Sequence, residues 1–455
     1  MSRILANIIL VLIIAFTVSA VPINTELLNL NITIPDVSVS EETEPVEEVP
    51  VEEDTLKFTY QDNTFDYLYN PESIEMKFVA NASINDEQAD LFLNTLIVEV
   101  FGVTPDDKED IIKRVDGADL EELLSHSING DVLTVTLHIS NNDLKLANGH
   151  YVSKIKTSGD AIESPFEVQL QTSYFNEVTY KSPVDKASRG NRIITLYFTD
   201  PGKNFLVPVS REIKDNGRLI RTTLNALRDG PAKDSGLNQT SPAPYVPAAR
   251  FSTVTEMVSL ETNSYENQAF TQTDEDTYLM IHSLINTMTH IENVASVKFS
   301  VDKKDNQALN GIDLSKPYPR PDGTKAHLSL QLDNNRVYLI PMDSNATDAT
   351  SLLKDLKYGV DGSEKLFNPV LPSIEVIQES LEDGVLNVRL SKDIHEAYST
   401  NSLYAQAMLD SIVQSFATLP GVEKLQLTTE TQSEGSLYDY TLGEAFEPAR
   451  YLNME

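Results

Sequence analysis

Residues 281–301 read IHSLINTMTHIENVASVKFSV, and residues 409–429 read LDSIVQSFATLPGVEKLQLTT. The two stretches align without a gap at a shift of 128 residues. In each stretch, apolar residues first recur at the spacing of one helix face. After a short break, they alternate with polar residues as in a strand. The pattern therefore predicts a tandem repeat of one α/β unit.

The repeat extends to both sides of these stretches. Each copy begins with a predicted β-hairpin, in which LVPV at 206–209 is echoed by LIPM at 339–342. An amphipathic helix follows, and a glycine stands just past its end, Gly230 in the first copy and Gly359 in the second. The predicted order of each copy is β-β-α-β-(β)-α-β, and the copies occupy residues 191–323 and 324–455.

The strand in parentheses is the second strand of a middle hairpin, and the sequence indicates it only in the second copy. There, Asp383-Gly384 is a turn signal between two strand-like runs at 375–380 and 385–390. The first copy lacks this turn signal, and a single strand is predicted near residues 253–260.

Residues 56–180 are predicted to form a separate β-rich domain. Turn signals stand at Asn129-Gly130 and Asn148-Gly149. Residues 106–124 carry an apolar stripe at helical spacing and are predicted to form a helix. The predicted fold is an immunoglobulin-type β-sandwich, in front of the two α/β units. Strand-like runs occur at 73–80, 95–101, 132–139, 151–157 and 166–173, and the third alternates apolar and polar residues.

Residues 1–23 are predicted to be a signal or anchor segment that takes no part in the fold. Residues 4–20 are apolar apart from Asn7, Thr17 and Ser19. The end of this run, VSA at 18–20, resembles a signal-peptide cleavage site, whereas the run is also long enough to span a bilayer as a helix. Its length favours an uncleaved anchor in the bacterial cell membrane over a cleaved signal peptide. Both interpretations place the rest of the chain outside the cytoplasm.

Residues 24–55 are predicted to be an acidic, disordered linker. No lysine or arginine occurs between Arg3 and Lys57, and the stretch contains Pro35, Pro45 and Pro50. Such a stretch repels itself and cannot bury a core, so we expect an extended tether.

The composition excludes several classes of function. A net charge of −34 repels phosphate backbones, so nucleic-acid binding is not expected. The absence of cysteine excludes disulfides, thiolate catalysis and cysteine-bound zinc. The seven histidines form no H-E-x-x-H pair, and no nucleophile elbow, phosphate loop or dinucleotide fingerprint occurs. We therefore predict that the chain is not an enzyme and holds neither a metal nor a cofactor.

Several short segments resemble the GerMN domain of sporulation and spore germination proteins. ITLYFTD at 194–200, LVPVSREI at 206–213 and ALRDGP at 226–231 resemble its opening half. DGVLNVRLS at 383–391 and TLPGVEKLQL at 418–427 resemble its closing half. The two copies are similar to the tandem arrangement known in this family. The resemblance implies an α/β fold like that of ring-building motifs and a role in assembling a complex across the sporulation membranes.

Arg211 and Glu212 mark a difference between the two copies. They follow the second strand of the first copy, whereas Met342 in the second copy is followed by Asp343 and Ser344. A charged pair at a strand end is often only a solvated surface. Arginine also suits protein interfaces, because its planar fork binds carboxylates in a fixed geometry. Arg211 and Glu212 are therefore the candidate interface residues.

Together these features predict a membrane-tethered, extracytoplasmic scaffold of the sporulation or germination envelope machinery. Its expected partners are other envelope proteins, homo-oligomerisation is left open, and only the N-terminal segment is expected to contact the membrane. The alternative is a binding module for the cell wall or for a secreted ligand.

Overall fold

The computed structural model describes residues 56–61, 65, 68–102, 111–146, 148–158, 166–174, 178–243, 246–263, 273–304, 308–395 and 402–455. The chain from Thr55 to Glu455 forms one compact unit. It is a mixed α/β structure that is rich in sheets. The predicted anchor at 1–23 and the predicted linker at 24–55 lie outside the described residues. Within those residues, no helix has the length and apolarity needed to cross a membrane.

The described residues of the N-terminal domain form two β-sheets and three short helices. The helices are α1 Asp86–Leu93, α2 Gly117–Glu121 and α3 Asn141–Leu144. The strands are β1 Phe58–Gln61, β2 Leu68–Tyr69, β3 Ser73–Ala80, β4 Leu96–Gly102, β5 Ile111–Asp116, β6 Leu124–Asn129, β7 Val132–His138, β8 Gly149–Thr157 and β9 Glu167–Tyr174. One sheet has the order β1-β3-β7-β6 and the other β2-β9-β8-β4-β5. Neighbouring strands are antiparallel except β2 and β9, which are parallel.

Both sheets of this domain contribute to one core. Phe78 of β3, Val100 of β4 and Leu170 of β9 are fully buried in it. Phe92 of α1 stacks on Phe58 of β1 with ring centroids 4.2 Å apart, and both side chains are buried in this core. The alternation expected for 132–139 is confirmed, because every second side chain of β7 is buried. A half-buried strand produces this period of two.

The predicted helix at 106–124 is wrong. Residues 103–110 are outside the described residues, Ile111–Asp116 is strand β5, and only Gly117–Glu121 is helical within the rest of the range. Its apolar residues fit a helical stripe, but Ile111, Ile112 and Val115 are also β-branched. Val115 pairs with Val98 of β4 and is buried. Pairing with β4 thus overrides the local helical pattern.

The two copies of the α/β unit contain the same elements in the same order, a hairpin, a helix, a second hairpin, a longer helix and a strand. The first copy consists of β10 Asn191–Thr199, β11 Leu206–Lys214, α4 Leu219–Asp229, β12 Ala248–Ser252, β13 Met257–Thr262, α5 Asp274–Thr289, β14 Ser296–Val301, β15 Ala308–Leu309, β16 Ile312–Asp313 and β17 Tyr318–Pro319. The second consists of β18 Lys325–Gln331, β19 Val337–Asp343, α6 Ala349–Tyr358, β20 Val376–Glu382, β21 Val385–Leu390, a 3-10 turn Lys392–His395, α7 Ser402–Phe416, β22 Lys424–Thr429, β23 Gly435–Leu437, β24 Tyr440–Leu442 and β25 Ala445–Phe446.

The larger sheets of the two copies match strand for strand. Their orders are β12-β13-β14-β17 and β20-β21-β22-β25. The parallel pair β13–β14 begins at Met257↔Ser296, and the parallel pair β21–β22 begins at Val385↔Lys424. These positions are related by the same shift of 128 residues, so the tandem repeat expected from the sequence is confirmed.

The expectation of a single strand near 253–260 is wrong, because the first copy also has a middle hairpin. β12 and β13 pair antiparallel from Ser252↔Met257 onward, and the four residues 253–256 form the turn. Glu256 has a φ of 47°, so this turn places a left-handed backbone on a residue other than glycine. Without Asp-Gly or a similar pair, the sequence gives no strong turn signal here.

In each copy the long helix is bonded to the first strand of the opening hairpin. Ser283 Oγ of α5 donates to the carbonyl oxygen of Tyr197 at 2.7 Å, and the Tyr197 amide donates to Thr287 Oγ1 at 3.1 Å. In the second copy, Ser411 Oγ and Ser415 Oγ form the same two bonds with His327. The helix hydroxyls satisfy backbone groups that would otherwise be buried without a partner.

Candidate functional site

The C-terminal residues lie between the two opening hairpins, where β11 of the first copy faces β19 of the second. We call this region the joint and define it by β11, β19 and residues 451–455. Asn453 Nδ2 donates to the carbonyl oxygens of Pro208 at 2.7 Å and of Leu339 at 2.9 Å. Its Oδ1 accepts from the amide of Leu339 at 2.9 Å. One buried side chain thus bonds to both copies.

Arg211 is part of the joint. Its Nη2 donates to Glu455 Oε1 at 2.9 Å and to the carbonyl oxygen of Gly230 at 2.9 Å. Its Nε pairs with the other oxygen of the same carboxylate. The side chains of Arg211 and Glu455 are 23% and 9% exposed, so the pair is largely shielded from water. Arg211 therefore binds the C-terminus to α4, and its role at a partner interface stays a prediction.

Glu212 points to a different neighbour. Its Oε1 accepts from Asn191 Nδ2 at 2.9 Å and from the Ser188 amide at 2.7 Å. The hydrogen bonds from Asn191 and Ser188 lower the pKa of the Glu212 carboxyl below its ordinary value. Glu212 thus holds the segment before β10 against the hairpin. The structure does not bring Arg211 and Glu212 together into one site.

The N-terminal domain is attached to the second copy. The Val337 amide donates to the carbonyl oxygen of Thr179 at 3.0 Å, which places 178–180 beside β19. His150 Nε2 donates to the carbonyl oxygen of Asn368 at 3.1 Å. Val178 and Tyr180 lie in the core of the second copy. The sequence predicts a separate domain at 56–180, and no local pattern in it indicates this attachment.

A buried carboxyl group lies where the N-terminal domain joins the second copy. Asp410 of α7 accepts from the phenol groups of Tyr180 and Tyr440, each at 2.7 Å, and from Gln406 Nε2 at 2.7 Å. Asp410 is 1% exposed. Burial raises the pKa of its carboxyl to about 6. The three donors are uncharged, so they offset the desolvation of the carboxylate only in part.

Three of the histidines, His150, His290 and His327, are desolvated by the residues packed around them. Burial lowers the pKa of His150 and His327 to about 3 and that of His290 to about 4. These three imidazoles are therefore neutral at neutral pH. In the described ranges, no group of three or more His, Asp or Glu residues is placed to hold a metal ion.

A surface groove of about 400 Å³ lies between the start of α4 and strand β12. Arg218 and Arg221 stand at its rim, and Arg221 Nη1 donates to the carbonyl oxygen of Val246 at 2.8 Å. Phe251 of β12 is 38% exposed, which is high for a phenylalanine. The sequence gives no signal for this groove, because its lining comes from segments far apart in the chain. Its apolar lining is formed by Leu219, Ile220, Ala249, Phe251, Ile291 and Val294.

One family model matches both copies of the α/β unit. The family model Germane, described as sporulation and spore germination, matches residues 195–307 and 318–434, just over half of the chain. The structure of the tandem GerMN domains of the sporulation protein GerM from Bacillus subtilis is similar at 15% identity and a TM-score of 0.44, over 58% of this chain and 99% of that one. The first GerMN domain of GerM is similar at 13% identity and a TM-score of 0.21, over 26% of this chain and 98% of that one. No curated protein matches the chain.

Proposed function

The chain belongs to the Germane family of sporulation and spore germination proteins, as a tandem of two GerMN domains, and we propose that it acts in that process as a non-enzymatic scaffold. The observation that carries this proposal is the joint. Asn453 and Arg211 tie the two copies and the C-terminus together, and Thr179 and Tyr180 tie in the N-terminal domain. A preorganised body of this kind binds partners without first having to order itself.

The state of the buried titratable groups supports a role without catalysis. General acid–base chemistry needs an accessible group whose pKa lies near the working pH. His150, His290 and His327 are buried, and burial lowers the pKa of each far below neutrality. Asp410 has a pKa nearer to neutral, but its carboxyl is enclosed by Tyr180, Tyr440 and Gln406. These groups fit a structural role better than a catalytic one.

The N-terminal domain supports the same proposal through its strand order. The order β1-β3-β7-β6 corresponds to strands A, B, E and D of an immunoglobulin fold, and β9-β8-β4-β5 corresponds to G, F, C and C′. We infer an immunoglobulin-like domain with β2 added beside β9. Domains of this architecture are frequent in proteins of cell surfaces, where they present sheet faces and loops to partners.

The proposed location is the outer side of the bacterial cell membrane, with residues 1–23 as the anchor and the acidic stretch 24–55 as the tether. This part of the proposal is supported by the apolar and acidic composition of those residues. The proposed partners are other envelope proteins, and self-association into homo-oligomers is part of the same proposal. The high negative charge makes nucleic acid an unfavourable partner.

Recovery of partners from envelope fractions tests the scaffold role. The tagged full-length chain is cross-linked in sporulating cells and purified from detergent-solubilised envelopes, beside the core variant Leu284→Asp. We expect defined envelope proteins with the native chain and their loss with the unfolded variant. Sedimentation with purified peptidoglycan, without recovered proteins, would instead support a cell-wall binding module.

The absence of cysteine allows a separate test of location. The substitution Lys354→Cys places one thiol on the exposed face of α6. A maleimide that cannot cross membranes should label this cysteine in intact cells once the wall is made permeable. Labelling only after the cell membrane is lysed would contradict an extracytoplasmic location.

A further inference from the structure

We propose that the outer edge of strand β12 in the first copy is a docking site for an extended, acidic segment of a partner protein. This inference deepens the proposed scaffold function, because it names the surface and the chemistry of one partner. It rests on the proposed function only for the presence of such a partner. The geometry of the surface stands by itself.

Strand β12 is the end strand of its sheet. It pairs with β13 on one side, and within the described ranges no strand pairs with its other side. An open edge presents backbone donors and acceptors, and extended peptides bind such edges as an added strand. Soluble proteins usually protect edges with charged residues or prolines. Here the charged residue of the edge, Arg250, lies on the open face of the sheet, and the residues facing the groove are Ala249 and the exposed Phe251.

Basic side chains lie on both faces of this edge, although the chain as a whole has a net charge of −34. Arg218 and Arg221 border the groove face. Arg250, Lys298 and Lys303 lie together on the opposite, open face of the sheet. Among the described residues that line the groove and the open-face pocket, the acidic ones are Glu292 beside the groove and Glu261 on the open face. The local excess of positive charge favours a segment whose acidic side chains reach both faces.

The second copy shows what the groove of the first copy lacks. Its edge strand β20 carries Glu379 at the position that corresponds to Ala249, since Glu379 pairs with Val388 and Ala249 pairs with Leu260. Glu379 Oε2 accepts from the amide of Thr350 in the first turn of α6, at 3.0 Å. The second copy therefore supplies a carboxylate to its own helix N-terminus, where a negative charge is favourable.

The first copy has no such carboxylate at this position. The N-cap residue of α4 is Arg218, whose side chain forms no capping hydrogen bond, and the uncharged side chain of Asn216 accepts from the Arg218 amide at 2.9 Å. In α6, by contrast, Asp348 forms a capping box with Ser351. A carboxylate from a partner segment would occupy in the first copy the place that Glu379 occupies in the second.

An exposed apolar residue is repeated at this edge. Phe251 pairs with Val258, and Leu381 pairs with Leu386, so the two lie at corresponding positions. Their exposed fractions are 38% and 46%. Phe251 and Leu219 would cover an apolar side chain next to the incoming carboxylate. The segment that fits is therefore an extended strand with acidic residues on both faces, in which a carboxylate and an apolar side chain two residues apart both face the groove.

Binding of a synthetic peptide tests the surface directly. The fluorescein-labelled peptide EEVEEEV, which as a strand places glutamate and valine on one face and glutamates on the other, is titrated against the full-length protein by fluorescence anisotropy, with the basic peptide KKVKKKV as the control for charge. We expect saturable binding of the acidic peptide and protection of the backbone amides of 248–252 from hydrogen exchange. Equal binding of both peptides, or no protection of β12, would overturn the proposal.

Two variants locate the binding. Ala249→Glu introduces the carboxylate that the second copy already has, so it should weaken peptide binding by about tenfold or more without lowering the melting temperature. Arg250→Glu should weaken binding similarly. Arg389→Glu, on the open sheet face of the second copy, is the matched control and should leave binding unchanged. Native affinity in Ala249→Glu would overturn the proposal.

The same variants separate this inference from the scaffold function. If envelope proteins are recovered equally with the native chain and with Ala249→Glu, the scaffold role stands and β12 is not the docking site. If the peptide binds at β12 but no envelope protein is recovered from cells, the surface stands and the scaffold role is wrong.

Discussion

Asn453 donates its side-chain amide to the carbonyl oxygen of Pro208 at 2.7 Å, across 245 residues of sequence. The same side chain exchanges hydrogen bonds with the backbone of Leu339. Asn453 also has a φ of 52°, a left-handed conformation that asparagine tolerates better than most residues. The C-terminus is therefore a structural part of the joint.

The substitution Asn453→Ala should lower the free energy of unfolding by about 2–4 kcal/mol, because it leaves buried groups of Pro208 and Leu339 without partners. Asn335→Ala is the matched control. Asn335 is exposed and has a φ of 62°, so this change carries the backbone effect alone. Chemical denaturation measures both. Equal losses in the two variants would show that the buried hydrogen bonds contribute nothing.

Reversing the charge of Arg211 should destabilise the joint. The substitution Arg211→Glu places a second carboxylate against Glu455, whose side chain is only 9% exposed, and we expect a loss of about 2–4 kcal/mol. The control Lys354→Glu changes an exposed residue of α6 and should have little effect. The double variant Arg211→Glu/Glu455→Arg should recover part of the loss. If the double variant is no more stable than Arg211→Glu, the lost pairing of Arg211 with Glu455 is not the cause of the destabilisation.

Asp410 should make stability depend on pH. Burial raises the pKa of its carboxyl from 3.8 to about 6, so the folded state binds the proton more tightly than the unfolded state. The stabilisation is complete below the unfolded pKa and is lost as the pH rises through about 6. The melting temperature of Asp410→Asn minus that of the native chain should therefore be higher at about pH 8 than at about pH 5.

Comparison of the native chain with Asp410→Asn isolates this effect from that of the buried histidines. The lowered pKa values of His150 and His327 act in the opposite direction, because they destabilise the fold as the pH falls below the ordinary histidine value. Asp361→Asn, at an exposed position of the second copy away from Asp410, is the control. A difference between Asp410→Asn and the native chain that does not change with pH would contradict the raised pKa.

The two copies should unfold together. Leu284 and Ile412 are fully buried in the long helices, and replacing either by alanine should cost about 2–5 kcal/mol. Tyr338 and Ile340 of the second copy lie in the core of the first, so both variants should shift a single transition. Tyr278→Ala, at an exposed position of α5, is the control. A transition that splits into two steps would show that the joint does not couple the copies.

The tandem repeat and the buried faces of the long helices were predictable from the sequence. Apolar periodicity is a local property, and one helix face must be apolar if it is to pack on a sheet. Leu284 and Ile412 follow from that period alone. The same reasoning fails at 106–124, where the apolar spacing fits both a helix and a strand, and pairing with β4 decides between them.

The interface prediction for Arg211 and Glu212 could not be refined from the sequence. A charged pair at a strand end has the same local pattern whether it faces solvent, a partner or a distant part of its own chain. The partner of Arg211 in the fold is Glu455, 244 residues away. The groove at β12 could not be predicted from the sequence either, because it forms only where α4 packs beside β12. The correspondence between Ala249 and Glu379 follows from the strand pairing of the two copies.

The sequence by itself determined the repeat, the order of its elements and which faces of the long helices are buried, because residues close in the chain set each of these. Only the tertiary structure decided the joint, the buried carboxyl of Asp410 and the open edge of β12. Each of these features forms between segments that are far apart in the chain. Their hydrogen bonds and contacts therefore depend on how the chain folds and not on any local pattern of residues.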